Sequence, residues 1–233
     1  MQIVIEGPDG SGKSTIATEL VEWLYKDNGI RTIYTKNPGA TPLGYELRRI
    51  ISDPILSVNH HVRALLFAVD NAAYITTVLK PKLDEGWWIV ADRNNFISSI
   101  AYEIADGCSL DSLLKIHEAT YPIAEIPKID VMFILRVNYD IAVYRRTVRT
   151  ASEKKEYYEK QMYDIEFFNK VSQAYDRLVN DYNDLLLKYI KPVKPNKPNI
   201  MYIDANQPLE YVVRNIHETI RPYIDAYKSN AKA

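Results

Sequence analysis

The chain has 233 residues, 47% hydrophobic and 25% charged, with a formal net charge of −1. No linker or composition shift divides it, so one folded domain over 1–233 is expected rather than a disordered, fibrous or multi-domain chain. The charge balance excludes a polyanion wrapped over a broad face, so nucleic acid is not an expected partner, while a local basic pocket remains compatible with it.

Residues 2–5 are a short apolar run that reads as a strand, not as the charged-then-apolar leader of a signal peptide. The run leads directly into Gly7-Pro8-Asp9-Gly10-Ser11-Gly12-Lys13-Ser14-Thr15, a G-x-x-x-x-G-K-S pattern, and then into a helical stretch over 13–27. Strand, glycine loop and helix in that order build a phosphate cradle. Successive backbone N–H groups face one concavity, and the helix aims its positive dipole end at the same point. Lys13 reaches the β- and γ-phosphates of a nucleotide held there, and the Ser14 hydroxyl holds Mg²⁺. Asn28-Gly29 stops the helix.

Further strands are expected at 31–35, 87–91, 131–137 and 200–203. Further helices are expected at 43–52, 59–85, 98–106, 110–121, 139–150, 165–189 and 209–228. The alternation predicts an α/β fold, a five-stranded parallel sheet with helices on both faces. Ligands of such sheets bind beyond the carboxyl ends of the strands, where Gly7, Asp92 and the residues after Thr35 all fall. No apolar run approaches the length of a membrane span, and a cytoplasmic protein is expected. Cys108 is the only cysteine, which excludes an intrachain disulfide, and His60, His61, His117 and His217 show no metal-ligand spacing.

Two segments break the alternation. Residues 151–164 are charged and tyrosine-rich and read as a cover over the cleft or as a solvated helix face. Residues 188–199 place lysines among Pro192, Pro195 and Pro198, which predicts a stiff exposed loop. A phosphate cradle alone does not separate a motor, a switch and a kinase; a second anion-binding group does. Asp92-Arg93 follows the third strand, placing a carboxylate near Mg²⁺ and a planar guanidinium fork where an anionic acceptor would lie. Arg145 and Arg149 stand four apart, on one helix face, and suit the charge of a transferring phosphoryl group.

Together these segments resemble the thymidylate kinase family almost end to end. Residues 6–15 match its loop, with Asp9 at the acidic position that in the family meets the sugar 3′-hydroxyl. Thr35-Lys36-Asn37-Pro38-Gly39-Ala40-Thr41-Pro42-Leu43-Gly44, with Arg48 beyond, is similar to T-R-E-P-G-G-T-P-L-G, which lines the acceptor pocket. Leu65-Leu66-Phe67-Ala68-Val69-Asp70 resembles L-L-F-A-A-D, whose phenylalanine stacks on the thymine. Asp92-Arg93 with Ser98-Ser99-Ile100-Ala101-Tyr102 resembles D-R-Y-x-x-S-S-x-A-Y, where the arginine holds the acceptor phosphate and the tyrosine packs against the deoxyribose. Asn206 and Gln207 fall in the segment that lies beside the ATP adenine. The resemblance implies a P-loop kinase fold, transfer of the γ-phosphoryl of ATP to dTMP, a lid at about 145–164, a homodimer packed through helices including 59–85, and a cis Asn37-Pro38 bond.

The departures cluster on the acceptor side. Lys36 and Asn37 replace Arg-Glu, Asn71 stands where an arginine meets the thymine O4, and Glu103 replaces a glutamine. One extra residue separates Arg93 from Tyr102, and the lid lacks a clear D-R-x-E, Tyr158-Glu159 being the nearest echo. With Asn71 and Glu103 in the pocket, a different or modified pyrimidine monophosphate is the alternative acceptor. A nucleoside kinase, with Glu6 as base, would leave Arg93 without an acceptor phosphate. A kinase of bases in DNA would draw on the lysines of 188–199, and a non-catalytic nucleotide-binding module would not need both Lys13 and Arg93.

Overall fold

The computed structural model describes residues 1–53, 55–56, 58–149, 164–181, 183–194 and 197–230. Five parallel strands form the central sheet: β1 (Gln2–Glu6), β2 (Thr32–Lys36), β3 (Trp88–Asp92), β4 (Val131–Arg136) and β7 (Ile200–Asp204), in the order β2-β3-β1-β4-β7. β1 and β3 are buried along their whole length, and β4 along all but Arg136, which is why they read as continuous apolar runs. The register pairs Ile5 and Lys36 with Asp92, Glu6 with Ile134, and Arg136 with Asp204. The carboxyl ends of all five strands therefore fall along one edge of the sheet.

Helix α1 (Lys13–Glu22) continues through a wider π turn over Trp23–Asp27 and packs on β2, β3 and the final helix α10 (Leu209–Asn230). A second layer is made by α3 (His60–Tyr74), α5 (Asn95–Ala105) and α8 (Ile165–Asp181), which pack on one another in that order. α2 (Pro42–Ser52) flanks α3, and Thr41 caps it by accepting from the Gly44 N–H at 2.8 Å. α6 (Leu110–Thr120) follows α5, and α7 (Tyr139–Arg149) follows β4.

Several expected boundaries move. α5 starts at Asn95 rather than 98, because the Asn94 side chain accepts from the Ile97 N–H and nucleates the turn earlier. The stretch expected as one helix over 165–189 is two, α8 and the short α9 (Asn183–Tyr189). The segment 188–199 is not the plain loop expected. Its described part holds a small antiparallel pair, β5 (Pro192–Lys194) with β6 (Lys197–Pro198), and it docks through Asn199, whose amide donates to the Asp130 carbonyl and to Tyr223. Proline removes a donor but keeps its carbonyl, so it is tolerated in so short a pair.

α3 runs on through a π turn (Ile75–Leu79) into α4 (Lys80–Asp84). This continuous helix, His60–Asp84, is long and apolar enough by length and composition to cross a membrane, contrary to the reading of the sequence. Half of it is buried inside the fold, where Tyr74, Ile75 and Leu79 join the core. Residues 150–163, where most of the expected lid and Tyr158-Glu159 fall, lie outside the described residues.

Candidate active site

The glycine loop joins β1 to α1 at the sheet's carboxyl edge. Gly10 sits at φ 86, and a Cβ there would stand 2.3 Å from the Ala142 carbonyl oxygen of α7. Only a residue without a side chain brings the loop that close to a helix backbone. Lys13, the first residue of α1, is buried, donates from Nζ to the Pro8 carbonyl at 2.9 Å and stands 3.8 Å from Asp9. Burial, reinforced by the Arg93 charge, pushes its ammonium down to about 8. Asp9, Asp92 and Glu6 oppose that fall, and a triphosphate in the loop would add further counter-charge.

Beside the loop, the Ser14 hydroxyl donates to Asp92 Oδ2, and the Tyr34 hydroxyl donates to the same oxygen at 3.2 Å. A hydroxyl and a carboxylate next to a phosphate seat form the hard oxygen set that suits Mg²⁺, which binds through one or two protein oxygens plus substrate phosphates.

Arg93 is the centre of the acceptor side. It is the only non-glycine at positive φ among the described residues, at φ 77, and its N–H donates to the Ile5 carbonyl at 3.0 Å. The guanidinium donates to Asp9 at 2.5 Å, Tyr102 at 2.9 Å, Tyr175 at 3.2 Å and Ser98 at 3.3 Å. Glu6 stands 3.7 Å away and is fully buried. Burial pushes the Glu6 carboxyl up, and Arg93 opposes that rise. Asp9 behaves oppositely: burial disfavours its charge, but Arg93 and Lys13 outweigh this and hold it well below the usual carboxylate range. Glu6 is thereby committed to Ser98, Tyr175 and the Asn94 N–H as well as Arg93, the position of an anchor rather than of a free base.

A cavity of about 440 Å³ connects these groups. The loop from Asp9 to Thr15, with Gly10, Ser11 and Gly12 between, lines one end together with Lys13 and Ser14; Gly7 sits behind it, against Leu135. Asp92, Arg93, Ser98, Ser99 and Tyr102 line it as well. Pro38, Phe67 and Arg48 line it too, the Asn37-Pro38 bond is cis, and Arg48 donates to the Pro38 carbonyl at 3.2 Å. Arg145 and Gln207 also line it; Arg145 donates to the Ala205 carbonyl at 2.9 Å, and a Cβ on Gly12 would stand 4.0 Å from its guanidinium.

Besides Gly7, three expected site residues do not line this cavity. Asn206 does not line it; its amide oxygen accepts from the Asn138 N–H at 2.8 Å and braces the loop that carries Gln207. Asn71 is buried in α3, away from the lining. Glu103 is wholly buried in a two-pronged ion pair with Arg63, at 2.9 and 3.0 Å, and Arg63 also meets Asp106. Glu103 therefore ties α5 to α3 instead of facing an acceptor. Arg149 ends α7, and its side chain lies outside the described residues.

Tyr175 carries no local signal, since its partner Glu6 is 169 positions away. Tyr34 and Asn95 were also missed. Asn95 lines the cavity and donates to Asp70, and it belongs to the stretch holding the extra residue between Arg93 and Tyr102. Ser99 was expected, but not its support: His117 Nε2 lies 2.8 Å from its hydroxyl, and burial pushes that imidazole down to about 4, keeping it neutral.

A glycine cradle and an arginine seat facing one cavity at the carboxyl edge of a β2-β3-β1-β4-β7 sheet define a P-loop nucleoside monophosphate kinase. The family model described as thymidylate kinase matches residues 5–216. Thymidylate kinase of Legionella pneumophila (strain Corby) is 33% identical over 225 residues, covering 96% of this chain and 95% of that protein. Thymidylate kinase of Halothermothrix orenii is 32% identical over 225 residues, covering 94% and 95%. A probable thymidylate kinase of Thermococcus kodakarensis is 32% identical over 195 residues, covering 79% and 91%. The chain belongs to the thymidylate kinase family.

Proposed function

We propose that this protein transfers the γ-phosphoryl group of ATP to dTMP. The observation that carries the reading is the single cavity with two anion seats, Lys13 in the loop at one and Arg93 at the other, bridged by Asp9. Phosphoryl transfer asks a protein mainly for positioning and charge neutralisation, and these residues supply both. Lys13 and the loop N–H groups hold the donor phosphates, with Gln207 beside the adenine. Arg93 holds the acceptor phosphate, which is already an anion and needs no general base. Asp9 meets the deoxyribose, Tyr102 closes the space around it, and Phe67 stacks on the base.

Ser14 and Asp92 are the residues that would hold Mg²⁺, which supplies charge neutralisation of the triphosphate when bound. Arg145 and Arg149 would meet the transferring group, and the lid over residues 145–164 would exclude water from it. One kinase domain over residues 1–233 accounts for the whole chain. A homodimer is proposed through α3, whose Val62, Leu65 and Val69 leave an exposed apolar stripe at 40%, 45% and 38% exposure. The cytoplasm, where ATP and nucleotides are held, is the proposed location.

The case for another base rested on Asn71 and Glu103, and neither lines the cavity. The deciding experiment is the initial rate with dTMP, dUMP, dCMP, dAMP and dGMP at fixed ATP. dTMP is expected to give the highest kcat/KM; a clear lead for any other monophosphate overturns the reading.

A further inference from the structure

A second cluster of chemically capable groups lies away from the phosphate cavity. His60 and His61 open α3, and Cys108 lies in the turn between α5 and α6. One imidazole nitrogen from each histidine and the cysteine sulfur all lie within 4.8 Å of one another. None of the three lines the cavity. The sequence spacing gave no hint of this, because Cys108 is brought in from a different helix pair.

The backbone holds all three in place. Asn59 caps α3 by accepting from the Val62 N–H at 3.0 Å, which sets the first turn that carries both histidines. Gly107, at φ 98, turns the chain so that the Cys108 N–H donates to the Glu103 carbonyl at 2.8 Å. The two imidazoles are tilted at 54° with centroids 4.4 Å apart. Cys108 is buried, His60 half-buried and His61 exposed, so the cluster has a closed inner side and an open outer one.

We propose that His60, His61 and Cys108 form a binding site for a borderline-soft transition-metal cation of the Zn²⁺ class. Two imidazoles and a thiolate select such an ion, whereas Mg²⁺ and Ca²⁺ demand oxygen ligands. Three protein ligands leave a fourth, outward position for water. Tetrahedral bonds of about 2.0–2.3 Å place donor atoms roughly 3.3–3.8 Å apart, inside the 4.8 Å within which these three lie, and the exposed His61 ring is the one with room to rotate onto the ion. The ion displaces the thiol proton to solvent and forms the metal–sulfur bond in its place, with no change in oxidation state. Burial and the Glu103 carboxylate keep that proton on the sulfur in the free protein, Asp106 adds to this, and Arg63 and the Ser109 N–H oppose it. The first turn of a helix also repels a cation, so the thiolate carries most of the affinity.

The consequence is structural. α3 carries Phe67 and α5 carries Ser98, Ser99 and Tyr102, so these two helices form walls of the acceptor cavity. An ion held between the start of α3 and the turn after α5 clamps the two walls at one end.

Titration of chelator-treated protein with Co²⁺ and Zn²⁺ tests this. One equivalent of Co²⁺ per chain is expected, with the visible bands of tetrahedral coordination and a thiolate-to-cobalt charge-transfer band. Cys108→Ala should abolish the charge-transfer band. His61→Ala changes an exposed side chain, so the fold and the Mg²⁺-supported kinase rate without Zn²⁺ should be preserved while Co²⁺ affinity falls by at least the roughly 10- to 100-fold that loss of even an outer-shell partner causes. At the same Zn²⁺ concentration the Tm of the unmodified protein should rise by more than that of His61→Ala. Failure to take up one equivalent, a charge-transfer band that survives Cys108→Ala, or unchanged affinity in His61→Ala each overturns the proposal.

Discussion

Arg93→Ala is expected to lower kcat/KM for dTMP by about 1,000-fold while ATP binding to the loop changes little. The guanidinium lines the cavity and contacts Asp9, Tyr102, Tyr175 and Ser98. Its loss removes the acceptor seat and leaves Glu6 buried without its opposing charge. Removing one partner of a buried pair costs about 3–5 kcal/mol, and here the cost is bounded because burial already favours a protonated Glu6 that keeps Ser98 and Tyr175.

A companion variant separates the side chain from the backbone. Arg93 holds φ 77, which costs an L-residue about 1–2 kcal/mol and glycine nothing. Arg93→Gly should therefore be as inactive as Arg93→Ala yet more resistant to urea. Steady-state kinetics and urea midpoints on both variants check this. A kcat/KM for Arg93→Ala within tenfold of the unmodified protein would remove Arg93 from the acceptor site.

Gly10→Ala is the second large effect. The new Cβ would stand 2.3 Å from the Ala142 carbonyl oxygen and 2.8 Å from its carbon, at a φ of 86. The clash is with helix backbone, which cannot rotate out of the way as a side chain would, so the loop and α7 must separate. Overpacking costs about 1–3 kcal/mol, and the left-handed backbone adds about 1–2 kcal/mol. Separation also draws Arg145 on α7 away from the loop, and ATP affinity is expected to fall by about 10- to 100-fold, an effect of about 1.4–2.8 kcal/mol at the site. Gly29→Ala is the matched control: its φ is 69 and nothing stands within 4 Å of the new Cβ. It should show only the backbone cost and normal ATP binding. Calorimetric ATP titration and urea unfolding distinguish the two, and normal ATP binding by Gly10→Ala would contradict the packing argument.

The sheet was legible because each of its strands is a short run whose neighbours in sequence punctuate it. β3 stood out as Trp-Ile-Val-Ala before Asp92, and the glycine loop stood out by spacing alone. Departures from the family pattern were legible as departures, but their meaning was not. Glu103 reads as a pocket residue when aligned with a glutamine, and the fold turns it onto Arg63, 40 positions earlier. Asn71 likewise lies one turn beyond Phe67 on the same face of α3, yet it is buried and does not line the cavity, which spacing along the helix does not reveal. The early start of α5 was hidden because Asn94 looks like loop until its side chain is seen to cap the helix.

By itself the amino-acid sequence determined the order of strands and helices, the phosphate cradle at Lys13, and the presence of an arginine at the end of β3. These are properties of adjacent residues: spacing, apolar runs and glycine positions act within a few bonds of one another. Only the tertiary structure decided that Tyr175 and Glu6 hold Arg93, that Glu103 belongs to Arg63, and that Cys108 meets His60 and His61. Those pairings join segments far apart in the chain. They form because packing helices on a parallel sheet buries apolar area with little regard for sequence distance, and the buried charges then take whatever partners the packing brings within reach.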